Sequence, residues 1–156
     1  MNENELFFRT IQTGNIKNLR LQLERNPNLA NIKDGRGFTP LIFATYFGQA
    51  DIGKLLIEKG ADLNAKDASG NTALIGVSFK GNKDLVKMLL LNNADVDLQN
   101  NKGTTALMFA TQYNQKDIVE TLLKHSADKT LEDTEGKKAI DYAEEKNLRE
   151  LIELLK

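Results

Sequence analysis

Residues 34–66 open with Asp34-Gly35-Arg36-Gly37-Phe38-Thr39-Pro40-Leu41 and close with Gly60-Ala61-Asp62-Leu63-Asn64. The first four residues are turn-rich and suit a tight hairpin tip. Thr39 then stands where a hydroxyl caps a helix start, and Pro40 sits at the first helical position, where its missing N–H costs nothing. A short apolar-faced helix runs to about Phe47, and Gly48 supplies the left-handed backbone that ends it. Ile52, Leu55 and Leu56 then recur at helical spacing on a second helix, which Gly60 closes. The unit reads turn, helix, turn, helix.

The same unit returns. Gly37, Gly70, Gly103 and Gly136 are each 33 residues apart, as are Leu41, Leu74, Leu107 and Ile140. Ile52, Leu85, Ile118 and Leu151 keep that step, and so do Leu56, Leu89, Leu122 and Leu155. Thr72 and Thr105 repeat the cap, Gly81, Asn114 and Asn147 repeat the left-handed stop, and Ala44, Val77, Ala110 and Ala143 form a column where helices approach closely. Two helices this short cannot bury their apolar faces alone, so the copies must stack.

This pattern resembles the ankyrin repeat nearly column for column. The resemblance covers residues 34–66, 67–99 and 100–132 as full copies and 133–156 as a truncated capping copy. Residues 1–33 resemble a degenerate capping copy, with Leu6, Phe7 and Ile11 on one helix and Leu19, Leu21 and Leu23 on the next. Gly14 to Gly48 is 34 residues, which places one inserted residue around Pro27. The resemblance implies an all-α solenoid of about five stacked repeats, caps included, forming one domain over 1–156. Helix pairs are expected at 5–13 and 16–25, 40–47 and 50–58, 73–80 and 83–92, 106–113 and 116–125, and 139–146 and 148–155.

Three departures stand out. The His that often follows Thr-Pro-Leu in this family is replaced by Ile42, Ile75, Met108 and Asp141, which removes its hydrogen bonds from the hairpin row. Ser126 takes the place of Gly60 and Asn93, so that helix end is expected to be strained or differently shaped. Gly76 falls inside a first helix, aligned with Phe43 and Phe109, at a cost of about 1 kcal/mol in helix propensity.

Composition narrows the function classes. Lys plus Arg number 21 against 22 Asp plus Glu, a net charge of -1 that argues against a nucleic-acid partner. Cysteine is absent, so neither disulfides nor Cys-based metal sites are available. The start of the chain carries Glu3 and Glu5 without a long apolar run, unlike a signal peptide, and no stretch approaches the ~18 apolar residues of a membrane span. A cytoplasmic protein without membrane attachment is expected.

No catalytic, cofactor or metal site is expected. The one histidine, His125, beside Lys124 near a helix end, reads as a helix-end or exposed side chain. The aspartates at turns recur at the repeat step and read as turn residues, not calcium ligands. Leu148, Leu151, Ile152, Leu154 and Leu155, interleaved with charges, read as a polar-backed end cap.

What the resemblance implies is a binding module, an adaptor, scaffold or inhibitor for a protein partner, monomeric on its own. Such proteins bind through hairpin tips and the first-helix face of the concave side. Carried over, that surface is Arg36, Phe38, Tyr46 and Phe47, then Ser69, Asn71, Phe79 and Lys80, then Lys102, Thr104, Gln112 and Tyr113, then Glu135 and Lys137. Aromatic side chains dominate interface hot spots, which singles out Phe38, Tyr46, Phe79 and Tyr113. Phe47 and Phe79 read equally well as packing between neighbouring first helices. A structural role in self-association is the alternative.

Overall fold

The computed structural model describes residues 1–156. Five helix pairs follow one another: α1 (Glu3–Thr13) and α2 (Ile16–Arg25), α3 (Pro40–Tyr46) and α4 (Ala50–Glu58), α5 (Ala73–Lys80) and α6 (Lys83–Leu91), α7 (Ala106–Gln112) and α8 (Lys116–Lys124), α9 (Ala139–Glu145) and α10 (Arg149–Leu155). No strand is present. The odd-numbered helices pack side by side in one row, and the even-numbered helices pack behind them. Between the rows lies one continuous apolar core running from Phe7 to Leu155.

Local chemistry explains the starts of α3, α5, α7 and α9. Thr39, Thr72 and Thr105 accept from the backbone N–H groups of Ile42, Ile75 and Met108 at 3.1–3.2 Å, satisfying donors that the first turn leaves free. Lys138 holds that place before α9, and Asp141 compensates by accepting from the Lys138 N–H at 2.8 Å. The stops are equally regular. Gly48, Gly81, Asn114 and Asn147 all take the left-handed backbone.

Ser126 adopts φ +66°, the conformation of Gly60 and Asn93. Its N–H donates to Leu123 and that of Ala127 to Leu122, both at 3.0 Å, repeating the bonds made at Gly60 and Ala61. The helix end therefore keeps its shape, and the cost is conformational strain of about 1–2 kcal/mol.

At the first repeat the chain departs from the others. A 3-10 turn, Pro27–Asn31, follows α2, capped by Asn26 and burying Leu29 and Ala30. It lies between Gly14, from which the step to the next copy is 34, and Asp34, from which it is 33. Phe7, Ile11, Leu19 and Leu23 are buried, whereas Leu6 and Leu21 face solvent. α1 and α2 each have a neighbour on one side only, so part of their apolar stripe stays uncovered.

The hairpin row holds together without the missing histidines. The Oδ1 atoms of Asp34, Asp67, Asn100 and Asp133 each accept two backbone N–H bonds within their own hairpin. Successive hairpins are joined by backbone bonds from Ala68 to Arg36, Asn101 to Ser69 and Thr134 to Lys102. A second ladder runs behind it: Asn31, Asn64 and Asp97 accept from the N–H groups of Asp62, Asp95 and Asp128, all at 2.8 Å.

Candidate binding face

The first helices and hairpin tips present one surface, and its aromatic rings are organised in two groups. In the first, Phe43 stacks edge-on against Phe8 at 5.9 Å between ring centres and meets Phe47 at 4.9 Å. Tyr46 adds contacts to Phe47 at 5.3 Å and Phe38 at 6.2 Å. In the second, Phe79 packs edge-on against both Phe109 at 5.6 Å and Tyr113 at 5.0 Å. Such edge-to-face geometry sets the positive rim of one ring against the negative face of the next.

Cations sit over these rings. The Arg36 guanidinium lies 4.3 Å from the Phe38 ring centre, and the Lys80 ammonium 4.7 Å from that of Tyr46. Lys146 Nζ lies 5.9 Å from the Tyr113 ring centre and donates to the Gln112 carbonyl at 2.6 Å. The face thus combines apolar area with positive charge held at fixed positions.

Two aspartates of the tips, Asp34 and Asp133, are tuned by the fold. Burial disfavours ionisation of Asp34, yet hydrogen bonds from the Arg36 side chain and from the N–H groups of Arg36 and Phe38 outweigh it and lower its pKa. Asp133 behaves alike: burial opposes, and the Tyr142 hydroxyl with the N–H groups of Lys137 and Glu135 prevails. Tyr142 responds in the opposite sense, its hydroxyl pKa raised by burial and by the Asp133 carboxylate that accepts its hydrogen bond. The Glu145 carboxylate, 2.8 Å away, raises Lys137.

Of the residues expected on this face, Arg36, Phe47, Ser69, Phe79, Lys80, Lys102, Tyr113 and Glu135 are exposed. Phe38, Tyr46, Asn71, Gln112 and Lys137 are half-buried. Thr104 is a correction: at 7% exposure it is buried, its N–H donating to Asn100 Oδ1 and its carbonyl accepting from the Asn100 N–H at the base of its own hairpin. Asn71 is partly committed as well, its side-chain carbonyl accepting from the Asn100 amide at 2.9 Å. The aromatics Phe47 and Phe79 do pack on their neighbours, yet 55% and 38% of each remains exposed.

A sequence model of ankyrin repeats in three copies matches residues 7–98 and again 74–156. The chain belongs to the ankyrin-repeat family. Over 49 residues, 31% of the chain, it is 45% identical to the human DNA-binding protein RFXANK, and over 57 residues, 36% of the chain, 38% identical to the ankyrin repeat and SAM domain-containing protein 6 of Rattus norvegicus. These matches span 19% and 6% of those proteins, so the likeness concerns a small part of each. Ankyrin repeats are generally protein-interaction modules rather than enzymes. No helix here is long and apolar enough to cross a membrane.

Sequence reasoning missed one column of the ankyrin face. Half-buried Phe109 and Tyr142 of that column line a groove with Lys102, Thr104 and Gln112, whereas Phe43 in the same column is buried in the core. Helical spacing held the signal, since Phe43 precedes Tyr46 by three residues and Phe47 by four, and such residues share a face.

His125 lies at the end of α8, exposed, with Nδ1 3.0 Å from the Thr121 carbonyl. It belongs to the opposite, even-helix side.

Proposed function

We propose that the chain is a non-enzymatic binding module, an adaptor, scaffold or inhibitor, that engages a protein partner through its hairpin tips and first-helix face. In this reading it is a cytoplasmic monomer of five stacked units, 1–33, 34–66, 67–99, 100–132 and 133–156, acting as one domain. The observation that carries it is the exposed part of the aromatic row, Phe47, Phe79 and Tyr113, held on rigid helices and flanked by Arg36 and Lys80. Large aromatic side chains left exposed on a fixed scaffold bury the most apolar area per immobilised bond when a partner arrives. The second-helix side is different in kind. None of α2, α4, α6, α8 and α10 carries Phe or Tyr, and the charges there form exposed pairs, Lys83 with Asp117 at 3.6 Å and Lys116 with Glu150 at 3.1 Å, much as Arg36–Asp34 and Lys137–Glu145 do at the tips.

Hydrogen–deuterium exchange on the chain with its co-purifying partner tests the assignment. Added protection is expected at the tips 34–38, 67–71 and 100–104 and along α3, α5 and α7. Protection confined to α4, α6 and α8 would move the site to the other side. Sedimentation at rising concentration separates this from self-association, which predicts a concentration-dependent dimer.

A further inference from the structure

The tip residues Asp34, Asp67, Asn100 and Asp133 all commit Oδ1 to two N–H groups of their own hairpins. Three of them also engage the other side-chain atom. Asp34 Oδ2 accepts from Arg36 Nε at 3.0 Å and Nη2 at 2.6 Å, and Asn100 Nδ2 donates to Asn71 Oδ1 at 2.9 Å. Asp133 Oδ2 accepts from the Tyr142 hydroxyl. Asp67 is the exception: its Oδ2 receives no hydrogen bond from the chain, and its carboxylate forms no ion pair. The repeat step explains this. Ser69 stands where the first hairpin has Arg36, and Gly76 stands where α9 has Tyr142, so both side chains that hold a second oxygen elsewhere are missing here.

Asp67 lines a groove of about 240 Å³ together with Phe38, Tyr46, Ser69 and Asn71, and it is the only charged residue that does so. Tyr46 lies against Gly76, 3.6 Å from a Cβ placed there, so its ring already covers that glycine and forms one wall. A carboxylate beside aromatic walls suits a guanidinium, which bonds a carboxylate through two N–H groups and stacks its flat face on a ring. The chain holds its own instance one hairpin away, where Arg36 pairs with Asp34 while lying 4.3 Å from the Phe38 ring centre. Two cations border the groove. Arg36 is neutralised by Asp34, whereas Lys80, 4.7 Å from the Tyr46 ring centre and without an ion pair, opposes a basic ligand.

We propose that Asp67 is an arginine-recognition site: its Oδ2 takes the guanidinium of one arginine side chain of the partner protein, laid against the aromatic wall of the groove. This rests on the binding face proposed above and adds to it the side chain that the third unit recognises.

The test is selection of a random peptide library against the full chain, followed by affinity measurements on synthetic copies of the recovered peptides. Recovered peptides should share an arginine, and replacing it by alanine should weaken them about tenfold or more, as loss of a hydrogen bond to a charged group does. Asp67→Asn should weaken them equally. Asn100 makes both turn bonds as an amide, so that variant keeps its hairpin. Ser69→Arg, at an exposed position, supplies from within the residue that holds Asp34 and should also exclude the peptides. Lys80→Ala, which removes the opposing cation, should tighten them. Recovery of no binder, of peptides without arginine, or of arginine peptides indifferent to Asp67→Asn would overturn the proposal, as would weakening by Lys80→Ala. Peptides that ignore Asp67→Asn but are lost on joint truncation of Tyr46, Phe79 and Tyr113 would remove this site and leave the binding face standing.

Discussion

Ala68 donates its backbone N–H to the carbonyl oxygen of Arg36 at 3.1 Å, and the hairpin tips of this ankyrin stack touch through their backbones because Gly37 has no side chain. A Cβ at Gly37 would lie 2.7 Å from the Ala68 nitrogen. The same closeness recurs one repeat on, where a Cβ at Gly70 would lie 2.7 Å from the Asn101 nitrogen. Both glycines also have φ near +80°, a region that L side chains avoid.

Gly70 and Gly136 separate these two causes. Their backbones match, φ +79° and +76°, but nothing lies within 4 Å of a Cβ at Gly136, where no further hairpin follows. Gly136→Ala should therefore cost only the left-handed conformation, about 1–2 kcal/mol. Gly70→Ala adds a backbone collision that parts two repeats, and the loss should exceed that of Gly136→Ala by at least about 1 kcal/mol. Urea midpoints of the two variants check the order. Equal losses would mean that the inter-hairpin contact contributes nothing.

Leu89 and Leu122 are wholly buried between repeats, and a solenoid has few residues per interface to share such a loss. Leu89→Ala should cost about 2–5 kcal/mol. His125→Ala removes one exposed contact at a helix end and should cost no more than about 1 kcal/mol. Thermal or urea unfolding followed by circular dichroism distinguishes them, and a large loss at His125 would reveal a role that its exposure does not suggest.

Acid should loosen the hairpin row. Asp34 and Asp133 have pKa values below the ordinary 3.8, so protonation is harder folded than unfolded. The stabilisation they give is complete above that ordinary value and is lost as pH falls through the lower folded-state value. Asn100 makes the same pair of N–H bonds in its own hairpin as a neutral amide. Joint Asp34→Asn and Asp133→Asn substitution should therefore keep the turns and flatten the decline of the unfolding midpoint in acid. An unchanged decline would place the acid sensitivity elsewhere.

The fold was legible because its determinants are local and repeated. Thr39, Pro40 and Gly48 state a helix start and stop within ten residues, and the 33-residue step states the stacking. The Asn31–Asp62 and Asn64–Asp95 bonds were not legible, since they join side chains and backbones that meet only once the copies are stacked. Ser126 shows the converse: backbone bonds on both sides hold it in a conformation its own preference opposes. On the candidate face, half-buried Phe109 looks in sequence like any core phenylalanine, and Phe43 in the same column is one. Thr104 looks like any turn residue, yet it is buried.

Tyr46, Phe79 and Tyr113 offer the most direct test of the face. Each lies on or at the end of a first helix, none belongs to the fully buried core, and Tyr113 is half exposed. Replacing all three by alanine sacrifices ring–ring contacts worth about 0.5–1.5 kcal/mol apiece, which the leucine and isoleucine core beneath is large enough to absorb. The helical circular dichroism signal should therefore persist. Binding should not, because truncating interface aromatics costs about 1–4 kcal/mol each and the three span successive repeats. Loss of partner affinity with retained helicity supports the face. If the folded triple variant binds its partner with unchanged affinity, recognition belongs to the second-helix side or to the ends of the stack. Substitutions at Lys83, Lys87 and Lys124, which line the shallow groove between α6 and α8, would then be the ones to weaken it.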